Sequence, residues 1–302
     1  MRLREEYDLI QAIRRIRPAL IHAHFGPVGL RALHVARLLG VPLVVSFYGF
    51  DVGDAHRAER RPKYEALFRY AYVTAEGPFL LRRLRSLGAR RGGLLPLSLP
   101  AWCLEKPVTL AGQRDGLRLL QVCRLVPKKG VDLSIRALAL ARAAGVDARL
   151  VVIGDGPDRS ALEEVRKTLG MEPFVKFEGS RPYAELPRWF DSVDAMIQPS
   201  RTAPGGDTEG GHPTVVLEAQ AQGLPVVATT HADIPMVVQD GRTGLLVPED
   251  DVTSLASAVA SLARQDRRKM GELGRARALR RHAPLKVRRL QDALYRDAAR
   301  SG

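Results

Sequence analysis

The chain has 302 residues, 45% of them hydrophobic and 26% charged, which excludes a disordered or fibrous class and leaves room for two packed cores. Apolar runs such as 41–47 and 150–153 are too short to cross a bilayer, and the opening MRLREEYDLI mixes charges where a leader would be apolar, so neither a membrane span nor a secretory signal is expected. A formal charge of +14 suits an anionic partner, whether nucleic acid, an anionic leaflet or phosphorylated small molecules, although a solvated arginine-rich surface accounts for it equally.

In chain order, ALIHAHF (19–25) predicts a strand, 28–39 a helix, 41–49 a buried strand, 56–70 a helix, 71–77 a strand and 78–87 a basic helix. Strand followed by helix, repeated, predicts a parallel sheet. Around 99–114 the pattern dissolves at Pro100, Pro107, Gly112 and Gln113, which predicts a linker. The alternation then resumes, with strands at 117–125, 148–156, 174–179, 195–200, 225–230 and 244–248 and helices at 131–144, 159–169, 213–222 and from 252 onward. This is a doubly wound pattern of Rossmann type, in which ligands bind outside the carboxyl ends of the strands. The expected domains are 1–110 and 111–283, with a closing helix at 284–302 that packs back toward the first. Two cysteines, Cys103 and Cys123, make neither a disulfide framework nor a zinc site and read as buried thiols. The arginines are not interleaved with aromatics, which are only 6% of the chain, so no nucleic-acid partner is expected.

Several residues could carry chemistry. Arg124 and Lys129, in CRLVPKKG, stand at a strand end and in the loop after it, where two fixed cations with Gly130 between them and the next helix suit a diphosphate. Spacing alone fits a solvated basic turn as well. The turn from Gly154 to Pro157 closes another strand at the same predicted edge. In the segment 205–227, Gly210, Gly211 and Pro213 make a tight loop, and the amides of Thr214, Val215 and Val216 point at whatever anion meets that helix start. Glu218 lies in an otherwise apolar stretch of the same helix. Buried, it needs a partner such as a ribose diol; facing solvent, it needs none. His22 and His24 share one face of the first strand and, having no evident charge partner, read most simply as core histidines.

Taken together, CRLVPKKG, GDGP, PSRTAPGGDTEGGHPTVVLEAQAQGLPVVAT and DGRTGLLVP, in that order, resemble the donor domain of glycosyltransferase family 4, group 1, especially its bacterial exopolysaccharide members. HAHFGPVG and FYGFDV extend the resemblance into the first half. It implies a GT-B fold, two Rossmann-like doubly wound parallel-sheet domains facing a cleft, the N-terminal one truncated. It implies a retaining hexosyltransferase that takes a nucleotide-diphosphate sugar, with UDP as the expected nucleotide, and transfers to a saccharide or lipid-linked acceptor. Arg124 and Lys129 would hold the diphosphate and Glu209 would contact the transferred sugar. Gly154, Gly210, Gly211, Thr214, Val215 and Glu218 would bind the donor, Glu218 through its ribose. His24, Gly26, Tyr48 and Asp51 would face the acceptor. No metal or other cofactor is implied, and a phosphate oxygen of the departing nucleotide would take the acceptor's proton. The expected location is cytoplasmic, with the basic surface against the anionic inner face of the membrane.

Three features depart from the family pattern. Glu209 and Glu218 are separated by eight residues where seven are usual, so the loop carries one extra residue and Glu209 is expected to shift. Tyr48 stands where the family usually has histidine, and a phenol cannot carry a proton near neutral pH as imidazole does. Roughly two strand–helix units are missing from the start by the usual Rossmann count, leaving a sheet edge that favours association between copies. These departures also support an alternative, a noncatalytic nucleotide-sugar-binding or scaffold subunit. An epimerase of the same fold would need acid and base residues that the sequence does not show.

Overall fold

The computed structural model describes residues 2–55, 59–105 and 116–300. Two compact units emerge, Met1–Leu97 with Leu285–Gly302, and Ser98–Pro284.

Unit 1 runs α1 (Arg2–Ile16), β1 (Ile21–His24), α2 (Gly26–Leu39), β2 (Leu43–Phe47), α3 (Phe50–Ala55), α4 (Arg61–Tyr70), β3 (Tyr72–Ala75), α5 (Pro78–Ser86) and β4 (Gly92–Leu94). The strands are all parallel in the order β1-β2-β3-β4. β2 is buried throughout, as an apolar run covered by helices requires. Helix α2 lies close on it because Gly29 has no side chain: a Cβ there would stand 2.8 Å from a Val45 methyl. Phe47, Tyr64 and Phe68 pack with ring centroids 5.7–6.4 Å apart and fill the core between β2 and α4. The short β4 has no counterpart in the sequence reading, because its GGL carries no strand propensity. Its glycine is needed for contact, since a Cβ on Gly92 would sit 2.4 Å from the Val73 carbonyl oxygen.

Unit 2 contains α6 (Trp102–Glu105), β5 (Leu117–Val122), α7 (Val131–Ala143), β6 (Ala148–Ile153), α8 (Arg159–Thr168), β7 (Val175–Gly179), α9 (Leu186–Asp191), β8 (Ala195–Gln198), α10 (Thr214–Ala221), β9 (Val226–Thr229), α11 (Ile234–Val237), β10 (Gly244–Val247), α12 (Val252–Arg264) and α13 (Arg267–His282). Its six parallel strands are ordered β10-β9-β8-β5-β6-β7. Successive strands from β5 run to one side through β6 and β7, and then to the other through β8, β9 and β10. The direction reverses between β5 and β8, which makes that junction the topological switch point where doubly wound sheets hold ligands. Leu119, Leu138, Leu150, Ile197, Val227 and Val259 belong to the core that packs around this sheet.

The division between units falls before the boundary expected at 110/111. The Leu99 amide donates to the His282 carbonyl at 2.9 Å, and the Trp102 ring stacks on Phe190 at 6.1 Å, so the segment leading to α6 is tied into unit 2. Pro107, Gly112 and Gln113 of the expected linker lie outside the described residues. Helix α14 (Pro284–Arg300) is part of unit 1 from Leu285 onward, and its Tyr295 hydroxyl meets His22 Nδ1 at 2.7 Å. Cys103 is buried as expected; Cys123 is only half-buried.

Candidate functional site

The carboxyl ends of β5, β6 and β8 are laced together by backbone. The Cys123 amide donates to the Ile153 carbonyl at 3.0 Å and the Leu125 amide to the Asp155 carbonyl at 2.9 Å, which keeps the turn after β5 alongside the turn after β6. That approach requires Gly154, whose φ is 132° and whose Cβ, if present, would lie 1.8 Å from the Cys123 carbonyl oxygen. Across the switch point, Gly130 (φ 60°) meets the Pro199 carbonyl, where a Cβ would stand at 2.1 Å. The Arg201 amide donates to the Lys128 carbonyl at 2.9 Å. Buried Gln121 fixes the turn from inside β5: its Nε2 donates to the Lys129 carbonyl at 2.8 Å, and its Oε1 accepts from Ser134 at 2.7 Å.

This frame aims side chains from both sides of the crevice at one place. Lys129 Nζ donates to Glu209 Oε1 at 2.5 Å, and Ser200 Oγ donates to the same oxygen at 3.0 Å. The extra residue in the loop therefore does not carry Glu209 away from Lys129. The loop is held elsewhere instead. Lys128, buried, donates to Asp207 at 3.0 Å and to the Thr208 carbonyl at 3.2 Å. Buried His231 accepts from the Glu209 amide at Nε2 (3.1 Å), which leaves its proton on Nδ1 to donate to Glu249 at 2.7 Å. Burial works against that carboxylate, but its hydrogen bonds from His231 and the Thr202 amide hold its pKa below the ordinary glutamate value. Arg201 binds Asp132 and Asp250 at 2.9 and 3.1 Å and the Pro127 carbonyl at 3.0 Å, clasping the turns after β5 and β8.

Arg124 is exposed at the end of this edge, and its guanidinium is bonded to none of the described residues. Gly210, Gly211 and Pro213 are buried and lead into α10, which has no side-chain cap, with Thr214 exposed and Val215 half-buried in its first turn. An unpaired guanidinium, an ammonium with donors beyond the one given to Glu209, and an uncapped helix start are features that recognise anionic oxygens.

Glu218, in α10, is 3% exposed, which selects the buried reading of its position. Its Oε1 accepts from the Tyr183 hydroxyl at 2.6 Å, and burial, only partly offset by that bond, raises the carboxyl's pKa. Tyr183, Lys128, Ser200, His231 and Arg201 escaped the sequence reading. Ser200 acts on Glu209 nine residues on, and the others through contacts to residues far along the chain, which no local spacing signals.

At the corresponding edge of unit 1 the groups are bonded to one another. His22 Nε2 meets Ser46 Oγ at 2.8 Å, and Ser46 meets Thr74 at 2.6 Å. Burial, and secondarily the adjacent His24, lowers the His22 pKa to about 4. The two imidazoles stack at 4.4 Å, and His24 Nδ1 meets the Tyr48 hydroxyl at 2.6 Å. His24 is exposed, which corrects its assignment to the core: as the last residue of β1 it lies beyond the covering helices. Asp51 is fully buried and accepts from the amides of Gly26 (3.0 Å), Tyr48 (3.1 Å) and Gly49 (2.9 Å). It thereby pins the turn after β1 to the turn after β2. Gly26 is held there by packing, since a Cβ would stand 2.7 Å from the Phe47 ring and 2.8 Å from Tyr64.

Residues 116–265 match the family described as glycosyl transferases group 1. The putative colanic acid biosynthesis glycosyltransferase WcaL of Salmonella typhimurium is 32% identical over 255 residues, which cover 81% of this chain and 61% of that protein. A GDP-mannose-dependent alpha-(1-6)-phosphatidylinositol monomannoside mannosyltransferase of Mycolicibacterium smegmatis is 39% identical over 173 residues, covering 55% of this chain and 45% of that one. Among solved structures, Anabaena Alr3699/HepE in complex with UDP aligns with a TM-score of 0.81 at 20% identity, over 96% of this chain and 81% of that one. The last likeness gives the fold, GT-B, with two parallel-sheet α/β units of which the first has the smaller sheet. The chain spans about three-fifths of the length of the curated relative WcaL.

Proposed function

Since residues 116–265 match the group 1 glycosyl transferases, we propose that the chain moves a hexosyl group from a nucleotide-diphosphate sugar to a saccharide or lipid-linked acceptor in exopolysaccharide biosynthesis, with retention at the anomeric carbon. The observation that carries this reading is the Lys129–Glu209 pair bridging the switch point on the same strand edge as Arg124, whose guanidinium has no partner among the described residues. In this reading the bond from the anomeric carbon to the diphosphate oxygen breaks while the bond to the acceptor oxygen forms, and the acceptor's proton passes to a departing phosphate oxygen. Arg124 and Lys129 stabilise the charge left on the diphosphate, so the step is assigned to side-chain cations with no metal. In the same reading Glu209, already on Lys129, meets the hexose and Glu218 takes the ribose.

UDP is the proposed nucleotide, supported by the UDP and UDP-glucose complexes among the structural neighbours. The GDP-mannose-dependent relative makes guanosine the necessary comparison. A thermal-shift series with UDP, GDP and ADP tests the reading. UDP is expected to raise the melting temperature most, and the rise to shrink in Arg124→Ala and Lys129→Ala. No shift with any of the three would overturn it. Binding without transfer or donor hydrolysis across a range of acceptors would favour the noncatalytic subunit, the reading that Tyr48 in place of histidine supports.

Two associations complete the proposal. No helix among the described residues is long and apolar enough to cross a membrane, while α5 and α14 carry Arg82, Arg83, Arg85, Arg288 and Arg289, which suits peripheral contact with an anionic leaflet. Sedimentation with anionic but not neutral vesicles is the expected result. β1 is an edge strand of its sheet, so a concentration-dependent dimer is expected in light scattering.

A further inference from the structure

Tyr183 is 56% exposed, yet its hydroxyl is the hydrogen-bond partner of Glu218, one of the most deeply buried carboxyl groups in the chain. The phenol oxygen also accepts from Trp102 Nε1 at 3.3 Å, and the indole meets the phenol ring nearly edge-on at 6.2 Å. The segment that carries Tyr183 is a single helical turn, Tyr183–Glu185, reached through Gly179 (φ 71°), around which there is open space. A surface side chain on a short turn thus closes a buried acceptor that, in the donor reading above, belongs to a ribose diol.

We propose that Tyr183 and the donor's ribose compete for Glu218, so that Tyr183 sets the affinity of the site for ribose-bearing ligands and returns to the carboxylate as the nucleoside diphosphate leaves. The inference rests on that donor reading and adds to it a residue that no strand-end motif contains. Binding exchanges one hydroxyl for a diol on the same carboxylate, so part of the ribose interaction is spent displacing the phenol. In return Glu218 always has a partner, which a buried carboxylate requires. Product release limits turnover in many enzymes, and a competing internal partner speeds it.

The test is calorimetric titration of UDP, GDP and inorganic pyrophosphate into wild type, Tyr183→Phe, Glu218→Gln and the double variant. Phenylalanine keeps the ring and removes the competing hydroxyl. UDP and GDP are expected to bind Tyr183→Phe about five- to tenfold more tightly. Pyrophosphate, which has no ribose, is expected to bind it unchanged. In the Glu218→Gln background, where a neutral amide oxygen replaces the carboxylate as acceptor, the tyrosine substitution is expected to have a smaller effect, because the two positions act through one bond. Unchanged or weaker UDP binding by Tyr183→Phe, or an equal change for pyrophosphate, would overturn the competition while leaving the donor reading intact. Failure of wild type to bind either nucleotide would overturn both.

A second measurement does not depend on altering Tyr183. The chain has two tryptophans, so Trp189→Phe leaves Trp102 as the only indole. Saturating UDP is expected to shift its emission as the phenol departs, and pyrophosphate to leave it unshifted. Bound UDP with unshifted emission would sink the proposal. In steady state, Tyr183→Phe is expected to lower KM for the donor and kcat together, a split that a merely structural contact would not produce.

Discussion

Both units end their parallel strands in a row of polar side chains, but the two rows differ in what is left over. In unit 1, Tyr295, His22, Ser46 and Thr74 bond in sequence, His24 meets Tyr48, and Asp51 is taken up by three backbone amides. In unit 2, Lys129 is engaged by Glu209 through one bond, the Arg124 guanidinium has no partner among the described residues and α10 has no side-chain cap. The same sheet geometry thus yields one edge whose polar groups mainly satisfy each other and one that retains capacity for an anion. The difference teaches that parallel-sheet topology offers a ligand edge, while unspent donors decide whether it is charged for one.

Substitutions of the two cations should give the largest effect and test that contrast most directly. Lys129→Ala and Arg124→Ala are each expected to lower the initial rate of transfer about 100- to 1000-fold, measured with a UDP-sugar donor. Scanning fluorimetry separates them. Arg124→Ala should melt like wild type because its guanidinium bonds none of the described residues, whereas Lys129→Ala should melt earlier because Glu209 is left in a buried place without its counter-charge. Equal melting temperatures would show that the Lys129–Glu209 pair is not part of the fold's support.

Unit 1 should respond in the opposite currency. Asp51→Ala leaves three amides without their acceptor and is expected to destabilise the protein by roughly 3 kcal/mol or more in urea unfolding, with a smaller effect on the rate of the folded fraction. A large loss of rate at unchanged stability would move Asp51 from scaffold to chemistry.

The third expectation concerns acid. His212 in unit 2 is buried beside His282, with ring centroids 6.0 Å apart, and burial, followed by the charge of His282, lowers its pKa from 6.5 to about 4. A histidine with a lowered folded pKa is protonated first in the unfolded chain. Stability is therefore lost as pH falls from about 6.5 to about 4, by roughly 3 kcal/mol for this group. Asp51 and Glu218, whose pKa values burial raises, oppose this trend, because they lose stability as pH rises through their own titrations. Comparing urea midpoints of wild type and His212→Asn at pH 7 and 4.5 isolates the histidine: the variant should lose less on acidification. Parallel losses would refute the assignment.

The smallest effect is expected at Tyr48. Tyr48→Phe removes one hydrogen bond to exposed His24 and should change stability by about 1 kcal/mol or less. A loss of transfer rate beyond about tenfold would show that this hydroxyl does more than orient the imidazole.

Period and composition made the strand–helix alternation legible in both units, because apolar runs covered on both faces read directly as buried strands. The cations of CRLVPKKG and the acids of the 205–227 segment were visible for a related reason: strand ends and helix starts are where a doubly wound sheet places its functional groups. β4 was not legible, since its Gly92 serves a close backbone approach and not propensity. Nor was the fate of the lengthened loop, because Lys128, His231 and Arg201 secure the site through partners roughly 20 to 80 residues away along the chain.

By itself, then, the sequence determined the class of fold, the strand edge that matters and the cations on it, since these follow from local periodicity and from where turns must fall. The tertiary structure alone decided that Glu209 stays on Lys129, that Glu218 is buried against Tyr183 and that His24 is exposed. Those outcomes depend on which distant side chains arrive at the same place, and hydrogen bonds of that kind leave no periodic trace in the chain.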